Sequence, residues 1–294
     1  MKDLMRPEIE DRWSIKQLQN CILNIAEYMD EFCNQNGIDY CLMGGSALGA
    51  VRHRGFIPWD DDLDVFMTPD NYEKFRKCFY ETGDREKYYL QEWGACDGMV
   101  TISKLRLNPS MYIEEDLKDW KINHGVYVDI FILHTAPENK IKRMHQFLWA
   151  RDLIAKGAAN RHYHRKKGIL GFGIKVLGLF PNRFLLKYAL KQVYKYQYDE
   201  SIYQCNFLGR AGFKKGLYKS EHFKSTKRVP FETITLNVNI EVEKFLKDRW
   251  GDYMRIPPIE EIRYYQHSWK WSDSETFPGY NSENFYPDEP KLLA

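Results

Sequence analysis

One nine-residue stretch limits the fold more than any other. Gly125–Leu133 reads GVYVDIFIL, in which Asp129 is the one charged residue. A strand of that composition has no polar face to turn to water, so it belongs inside a sheet that is covered on both sides. A carboxylate in such a strand needs a hydrogen-bonding partner, a counter-charge or a metal ion. A core carboxylate or cap held by hydrogen bonds meets that need without any chemistry, so Asp129 alone leaves both readings open.

Further acids narrow the choice. Asp62–Met67, DLDVFM, alternates acidic and apolar residues as a strand does, which puts Asp62 and Asp64 on one face. Two carboxylates held side by side repel each other unless a cation lies between them. Asp60 and Asp61 add acid on the approach. An EF-hand loop needs a central glycine and a glutamate at its twelfth position, but Asn71 stands there and the segment after Asp62 is apolar. A solvated acidic loop is the plainer alternative. If the Asp129 strand lies beside Asp62–Met67, three carboxylates converge and can hold one or two Mg²⁺ (or Mn²⁺) ions against a nucleotide's phosphates.

The acids follow a glycine turn. Gly44-Gly45-Ser46 comes after a short strand-like run, Ile38–Met43, and a small helix over Ser46–His53 can start from it. Such a turn lets backbone approach a phosphate, and the helix N-terminus offers free N–H groups to an anion. Glycine turns between strand and helix are common, so this half of the motif is weak by itself.

The remainder of the chain reads as α+β. Residues 12–36 carry Ile15, Leu18, Ile22, Ile25, Met29 and Phe32 at helical spacing, with Gly37 placed to cap the end. Thr68-Pro69-Asp70 reads as N-cap, first-turn proline and first-turn acid of a helix to about Thr82. Strand-like runs follow at Tyr88–Trp93, Met99–Leu107 and Ser110–Glu114, then the Asp129 strand. Pro137 to about Tyr198 is helical in pattern, Lys224–Asn239 extended, and Glu241–Tyr253 helical again. The tail beyond Pro257, rich in proline and aromatics, is expected to wrap the surface without a regular element. Residues 1–135 therefore form the catalytic core, and 136–294 a helical region and tail packed on it as one unit.

Composition removes several classes. A net charge of +2 over 294 residues is too small for nucleic-acid binding by bulk electrostatics. The 6 cysteines, at 21, 33, 41, 78, 96 and 205, include no Cys-x-x-Cys pair, which argues against zinc-ribbon and thioredoxin sites and suits buried, reduced thiols in a cytoplasm. Met1–Trp13 is charged and has no apolar core, so no secretory signal is expected, and no run of about 18 apolar residues predicts a spanning helix. The short apolar run Gly168–Phe180 does follow the basic RHYHRKK of Arg161–Lys167. A peripheral contact with the inner face of the cytoplasmic membrane through 161–180 is one reading, a buried helix beside a solvated basic loop the other.

The ordered motif now in view resembles a known family. Gly-Gly-Ser, Asp-Leu-Asp and a third strand-borne Asp are similar to the signature of the nucleotidyltransferase fold. More narrowly, Leu48-Gly49-Ala50-Val51-Arg52-His53 running through Gly55-Phe56-Ile57-Pro58-Trp59-Asp60-Asp61-Asp62 resembles the LicD phosphocholine-transferase family, whose wider group includes fukutin-related protein. The likeness continues at Gly125–Phe131, Val229-Pro230-Phe231-Glu232, Trp250-Gly251-Asp252-Tyr253-Met254 and Pro257-Pro258, and so spans about residues 37 to 260. The family pattern departs after Asp129-Ile130-Phe131: proline and a further acid are usual, whereas Ile132, Leu133 and His134 stand here.

The resemblance implies transfer of a phospho-substituent, such as phosphocholine, from a CDP-linked donor to a hydroxyl of a free or lipid-linked cell-envelope glycan (lipopolysaccharide, teichoic acid or capsule), with CMP leaving. Asp62, Asp64 and Asp129 would hold Mg²⁺ or Mn²⁺, and Asp129 would position or deprotonate the acceptor. Gly44, Gly45 and Ser46 would cradle the donor phosphates. Arg52, His53, Lys104 and Arg106 are expected to reach the nucleotide, although a structural histidine and a solvated sheet face explain His53 and the Lys104/Arg106 pair as well. Trp59 stacks on the base or a choline methyl group, or anchors its loop, and His124 and His267 are candidates on the acceptor side. Attachment of a whole nucleotide with pyrophosphate release, and a non-catalytic glycan-binding module, are the rival functions.

Overall fold

The computed structural model describes residues 15–92, 102–114, 117, 122–160, 168, 172–173, 176, 182–209, 212–258 and 268–272. The apolar stripe near the N-terminus forms helix α1 (Ile15–Gln35), which buries Leu18, Ile22, Ile25, Met29 and Phe32. Gly37, at φ 58°, turns the chain out of that helix. Next come β1 (Cys41–Leu42), α2 (Gly44–His53), β2 (Asp64–Met67) and α3 (Pro69–Thr82). Thr68 caps α3 by accepting a hydrogen bond from the Asn71 N–H at 3.3 Å, and Pro69 occupies the first turn as its fixed φ favours.

Strands β3 (Tyr88–Gln91), β4 (Ser103–Leu107), β5 (Met111–Glu114), β6 (Tyr127–Ile132) and β7 (His134–Ala136) complete the first half. A mixed five-stranded sheet in the order β1-β2-β6-β4-β3 results. Within it β2 and β6 run parallel and every other pair is antiparallel. All six residues of β6 are buried, as its sequence requires. Helices α1 and α3 line the sheet through Phe32, Phe75 and Phe79, whose rings meet edge to face at 5.7 and 6.1 Å from Phe32.

The second half holds α4 (Lys140–Asn160), α5 (Asn182–Val193), β8 (Tyr203–Cys205), α6 (Gly212–Lys215), β9 (Leu217–Lys219), β10 (Thr226–Phe231), β11 (Ile234–Asn239), α7 (Val242–Trp250) and β12 (Ser268–Ser272). Strand β7 joins β8 and β9 in a small sheet, so pairing crosses from the first half to the second. The β10–β11 hairpin is fastened to α1 by an ion pair: Arg228 Nη2 donates to Asp30 Oδ2 at 2.8 Å, and Tyr40 donates to Asp30 Oδ1 at 2.5 Å. Its core residues Phe231, Leu236 and Val238 join one hydrophobic cluster with those of the large sheet.

Three local expectations are corrected. β2 begins at Asp64, not Asp62, because its partner β1 is two residues long and the ladder ends at Leu42–Val65. α2 already begins at Gly44, whose φ of 55° makes the turn into the helix. The tail does contribute a regular element: β12 pairs antiparallel with β5, and the alternation of SWKWS was its signal. Cys21, Cys33, Cys41 and Cys205 are buried free thiols and Cys78 is half-buried, while Cys96 falls outside the described residues. Burial pushes the Cys41 and Cys205 thiols up to about 12, so they are inert packing groups. Among the described residues, no helix is long and apolar enough to cross a membrane.

Candidate active site

The parallel pairing of β2 with β6 sets Asp64 directly opposite Asp129. Asp129 is buried, and its amide N–H is tied to the Leu63 carbonyl at 2.9 Å, which locks the register at the acids. Asp62 lies just before β2, close enough that its charge is the strongest of those acting on Asp64, ahead of Asp129 and Asp60. The three predicted acids and Asp60 thus share one field.

Helix α2 points its N-terminus at them. Met43 N–H donates to the Asp64 carbonyl at 3.0 Å, and the Asp64 N–H donates to Ser46 Oγ at 2.9 Å. A Cβ on Gly45 would lie 2.9 Å from Asp60 Oδ2, and one on Gly44 3.9 Å from Asp64 Oδ2. The glycines therefore let the first turn of the helix sit against the carboxylates.

Burial holds the Asp64 carboxyl well above the usual carboxylate range, and the charges of Asp62, Asp129 and Asp60 push it further up against a smaller pull from Lys104. Burial likewise raises Asp129, offset by Lys104 and opposed again by Glu114. Lys104, on β4 opposite Asp129, donates to Asp129 Oδ1 at 2.7 Å, and its Nζ lies 3.4 Å from the centre of the Tyr127 ring. It reaches Glu114 at 3.6 Å as well.

Hard carboxylate oxygens whose charges oppose one another suit a divalent cation of the Mg²⁺ or Mn²⁺ kind. Asp60, Asp62, Asp64 and Asp129 supply that donor set. Among the described residues no three His, Cys, Asp or Glu side chains close round a single point, and Asp129 is turned to Lys104.

The other predicted residues separate into those beside the acids and those engaged elsewhere. Arg106 is fully buried: its Nε donates to Gln91, its Nη1 to the Gly125 carbonyl, both at 2.7 Å, and its guanidinium stacks 4.8 Å from Tyr127. Arg52 donates to the carbonyls of Tyr253 and Arg255 and to His53 Nε2, so it ties α2 to the segment after α7. Burial and the Arg52 charge push the His53 imidazole down. His53 meets Trp59 edge to face at 6.5 Å, and Trp59 is packed against the core. Asp61 is 1% exposed and His124 is buried, whereas His267 lies outside the described residues. Just beyond β6, His134 stands buried between Tyr194 and Phe207, its imidazole pushed down to about 3 by burial.

Three residues to which the sequence assigned no role hold the acid loop. Gln19 of α1, 2% exposed, donates to the carbonyls of Ile57 at 3.2 Å and Asp60 at 2.9 Å. Tyr112 of β5 donates to the Asp61 carbonyl at 3.3 Å. Glu232, in the β10–β11 turn, accepts from the Phe56 N–H at 3.1 Å. A glutamine on the apolar stripe of α1 was the readable sign of the first.

Several known proteins are similar to this chain. Residues 37–153 match the family model described as LicD/FKTN/FKRP, nucleotidyltransferase domain. The lipopolysaccharide cholinephosphotransferase LicD of Haemophilus influenzae is 28% identical over 258 residues, covering 84% of this chain and 94% of that protein. The ribitol 5-phosphate transferases FKRP of Homo sapiens and Mus musculus are each 39% identical over 56 residues, 19% of this chain and 11% of theirs. The matched region runs from just after α1 through both acid-bearing strands into α4, so residues 37–153 are similar to the LicD/FKTN/FKRP nucleotidyltransferase domain.

Proposed function

We propose that this protein transfers a phospho-substituent, phosphocholine in the first instance, from a CDP-linked donor to a hydroxyl of a cell-envelope glycan, using a divalent metal ion. The observation that carries the reading is the in-register pairing of Asp64 with Asp129 on parallel strands beside the N-terminus of α2. Near full-length similarity to a lipopolysaccharide cholinephosphotransferase favours choline as head group and lipopolysaccharide as acceptor class.

Asp62, Asp64 and Asp129 would hold the metal, which when bound neutralises the donor's diphosphate. The free N–H groups of Gly44, Gly45 and Ser46 carry part of the helix's positive end and orient the donor phosphates. The acceptor hydroxyl oxygen bonds to the phosphorus bearing the head group, the bridging P–O bond breaks and CMP leaves. Asp129 takes the hydroxyl proton, a role helped by burial, which raises its carboxyl above the ordinary carboxylate value. Lys104 keeps Asp129 oriented meanwhile. Contact of 161–180 with an anionic membrane surface would bring lipid-linked acceptors to the site.

The test is release of CMP from a panel of CDP-linked donors with Mg²⁺ and envelope glycans, against an Asp62→Asn, Asp64→Asn control. Metal-dependent CMP from one donor, lost in the control by about 10³-fold or more, is expected. No CMP from any donor, together with pyrophosphate release from nucleoside triphosphates, would replace this reading with nucleotide attachment. Glycan binding without turnover of either substrate would leave a binding module.

A further inference from the structure

The β10–β11 hairpin is remote in sequence from the acids, yet its tip grips the loop that delivers them. The Glu232 N–H donates to the Arg54 carbonyl at 2.7 Å, and Glu232 Oε1 accepts from the Phe56 N–H at 3.1 Å. Oε2 accepts from Lys16 at 2.7 Å. Phe231 meets Phe56 edge to face at 4.9 Å. Gly55 lies between, and a Cβ there would stand 2.3 Å from Glu232 Oε1.

Backbone conformation gives independent support. Among the described residues, the non-glycine residues at positive φ are Arg54, at 56°, and Glu232, at 53°. They are the acceptor and the donor of one hydrogen bond. A two-residue hairpin turn of this kind favours glycine, asparagine or aspartate at a positive-φ position, so glutamate is a poor choice for the turn itself. Strain of that sort persists where surrounding contacts enforce it and gathers at functional sites.

We propose that Glu232 is a positioning residue: with Gln19 and Tyr112 it clamps the loop 54–61 so that Asp60 is held against the N-terminus of α2 and the chain enters Asp62 and β2 in register. The inference rests on the proposed role of the acid cluster, and goes beyond it in giving the hairpin tip a part in activity. Arg228, bonded to Asp30, fixes the hairpin to α1, and Gln19 reaches the loop from the same helix, so clamp and loop share one rigid support.

The test compares Glu232→Gly, Glu232→Asn and Glu232→Gln in the full chain. Glycine and asparagine both suit positive φ, but neither has a carbonyl oxygen long enough in reach for the Phe56 N–H, while glutamine does. Glu232→Gly and Glu232→Asn are expected to melt no lower than the parent. Amide exchange over residues 55–61 should quicken about tenfold with β2 and β6 unchanged. Mn²⁺ binding, read by electron paramagnetic resonance, and kcat for CMP release should each fall about 10- to 100-fold. Glu232→Gln should stay within about threefold of the parent in all of these, since it keeps the acceptor. A lower melting temperature with unchanged exchange and Mn²⁺ binding at 55–61 would show a merely structural turn and overturn the proposal, as would a glutamine variant as impaired as the glycine one. Exchange and Mn²⁺ binding decide the matter even if no CDP-linked donor is turned over, so failure of the transferase reading is told apart from failure of the clamp.

Discussion

Asp64 is held in a place where its charge is unwelcome, and that has a measurable consequence. A carboxyl raised in the folded state binds its proton more tightly there than in the unfolded chain. Folding stability from this source is therefore fully present below the ordinary carboxylate value near 4 and is lost as pH rises through the raised folded value. Asp129 acts in the same direction. In EDTA the melting temperature should fall as pH climbs from about 5 to 8, and Mg²⁺ should flatten that slope. Asp64→Asn should raise the metal-free melting temperature by about 2–4 °C, an effect of roughly 1 kcal/mol, while abolishing CMP release. A metal-free protein equally stable at pH 5 and 8 would refute this account.

Lys104 makes the complementary case. Its removal leaves Asp129 and Glu114 facing each other in a buried setting. Lys104→Met is expected to lose about 3–5 kcal/mol in urea unfolding, the cost of uncovering a buried charge. Adding Asp129→Asn should restore part of that loss, because the orphaned charge goes with it. Equal losses in the single and double variants would mean that the pair is not coupled.

At the scale of elements, α2 and the loop 54–61 behave as one unit. A Cβ on Gly49 would stand 2.4 Å from the Gly55 carbonyl oxygen, and backbone there is pinned by Glu232 and Gln19. Gly45 differs, since the close contact of its Cβ would be with the carboxylate end of Asp60, which can swing aside, and Ile57 Cδ1 would stand at an ordinary 3.9 Å. Gly49→Ala should therefore destabilise by about 1–3 kcal/mol. Gly45→Ala should keep its melting temperature and raise the donor KM severalfold, by displacing Asp60 from the first turn of α2. Thermal scans beside donor titrations separate the two, and a Gly49→Ala protein of parental stability would contradict the packing described.

On the scale of the whole molecule, the core runs without a break from α1 through the large sheet to the β10–β11 hairpin and α7. A large-to-small change in the hairpin, far from residue 62 in sequence, thus reaches the acids through packing. The region proposed for membrane contact is described only at Gly168, Phe172, Gly173 and Val176, of which Phe172 is 70% exposed. Phe172→Glu should reduce cosedimentation with anionic liposomes severalfold, since a charge replaces the inserted ring. Binding indifferent to that change would remove the membrane proposal.

The sequence by itself determined a good deal, and for a definite reason. Nearest-neighbour physics settles periodicity, caps and burial, so α1, the Thr68-Pro69 start of α3, the buried strand β6 and the α+β character were all legible. The meeting of Asp64 with Asp129 was legible too, because an acid-alternating strand and an apolar strand with one acid suit neighbouring places in one sheet. What tertiary structure alone decided is which strands pair and where distant side chains end. The length of β1 moved the start of β2 to Asp64, and a free edge on β5 recruited SWKWS as β12. Arg52 and Arg106 looked available for a nucleotide, yet folding gave their hydrogen bonds to carbonyls and Gln91. Gln19, Tyr112 and Glu232 come from three separate elements and converge on one loop. Local sequence carries no record of that convergence, since it depends on contacts up to 176 residues apart.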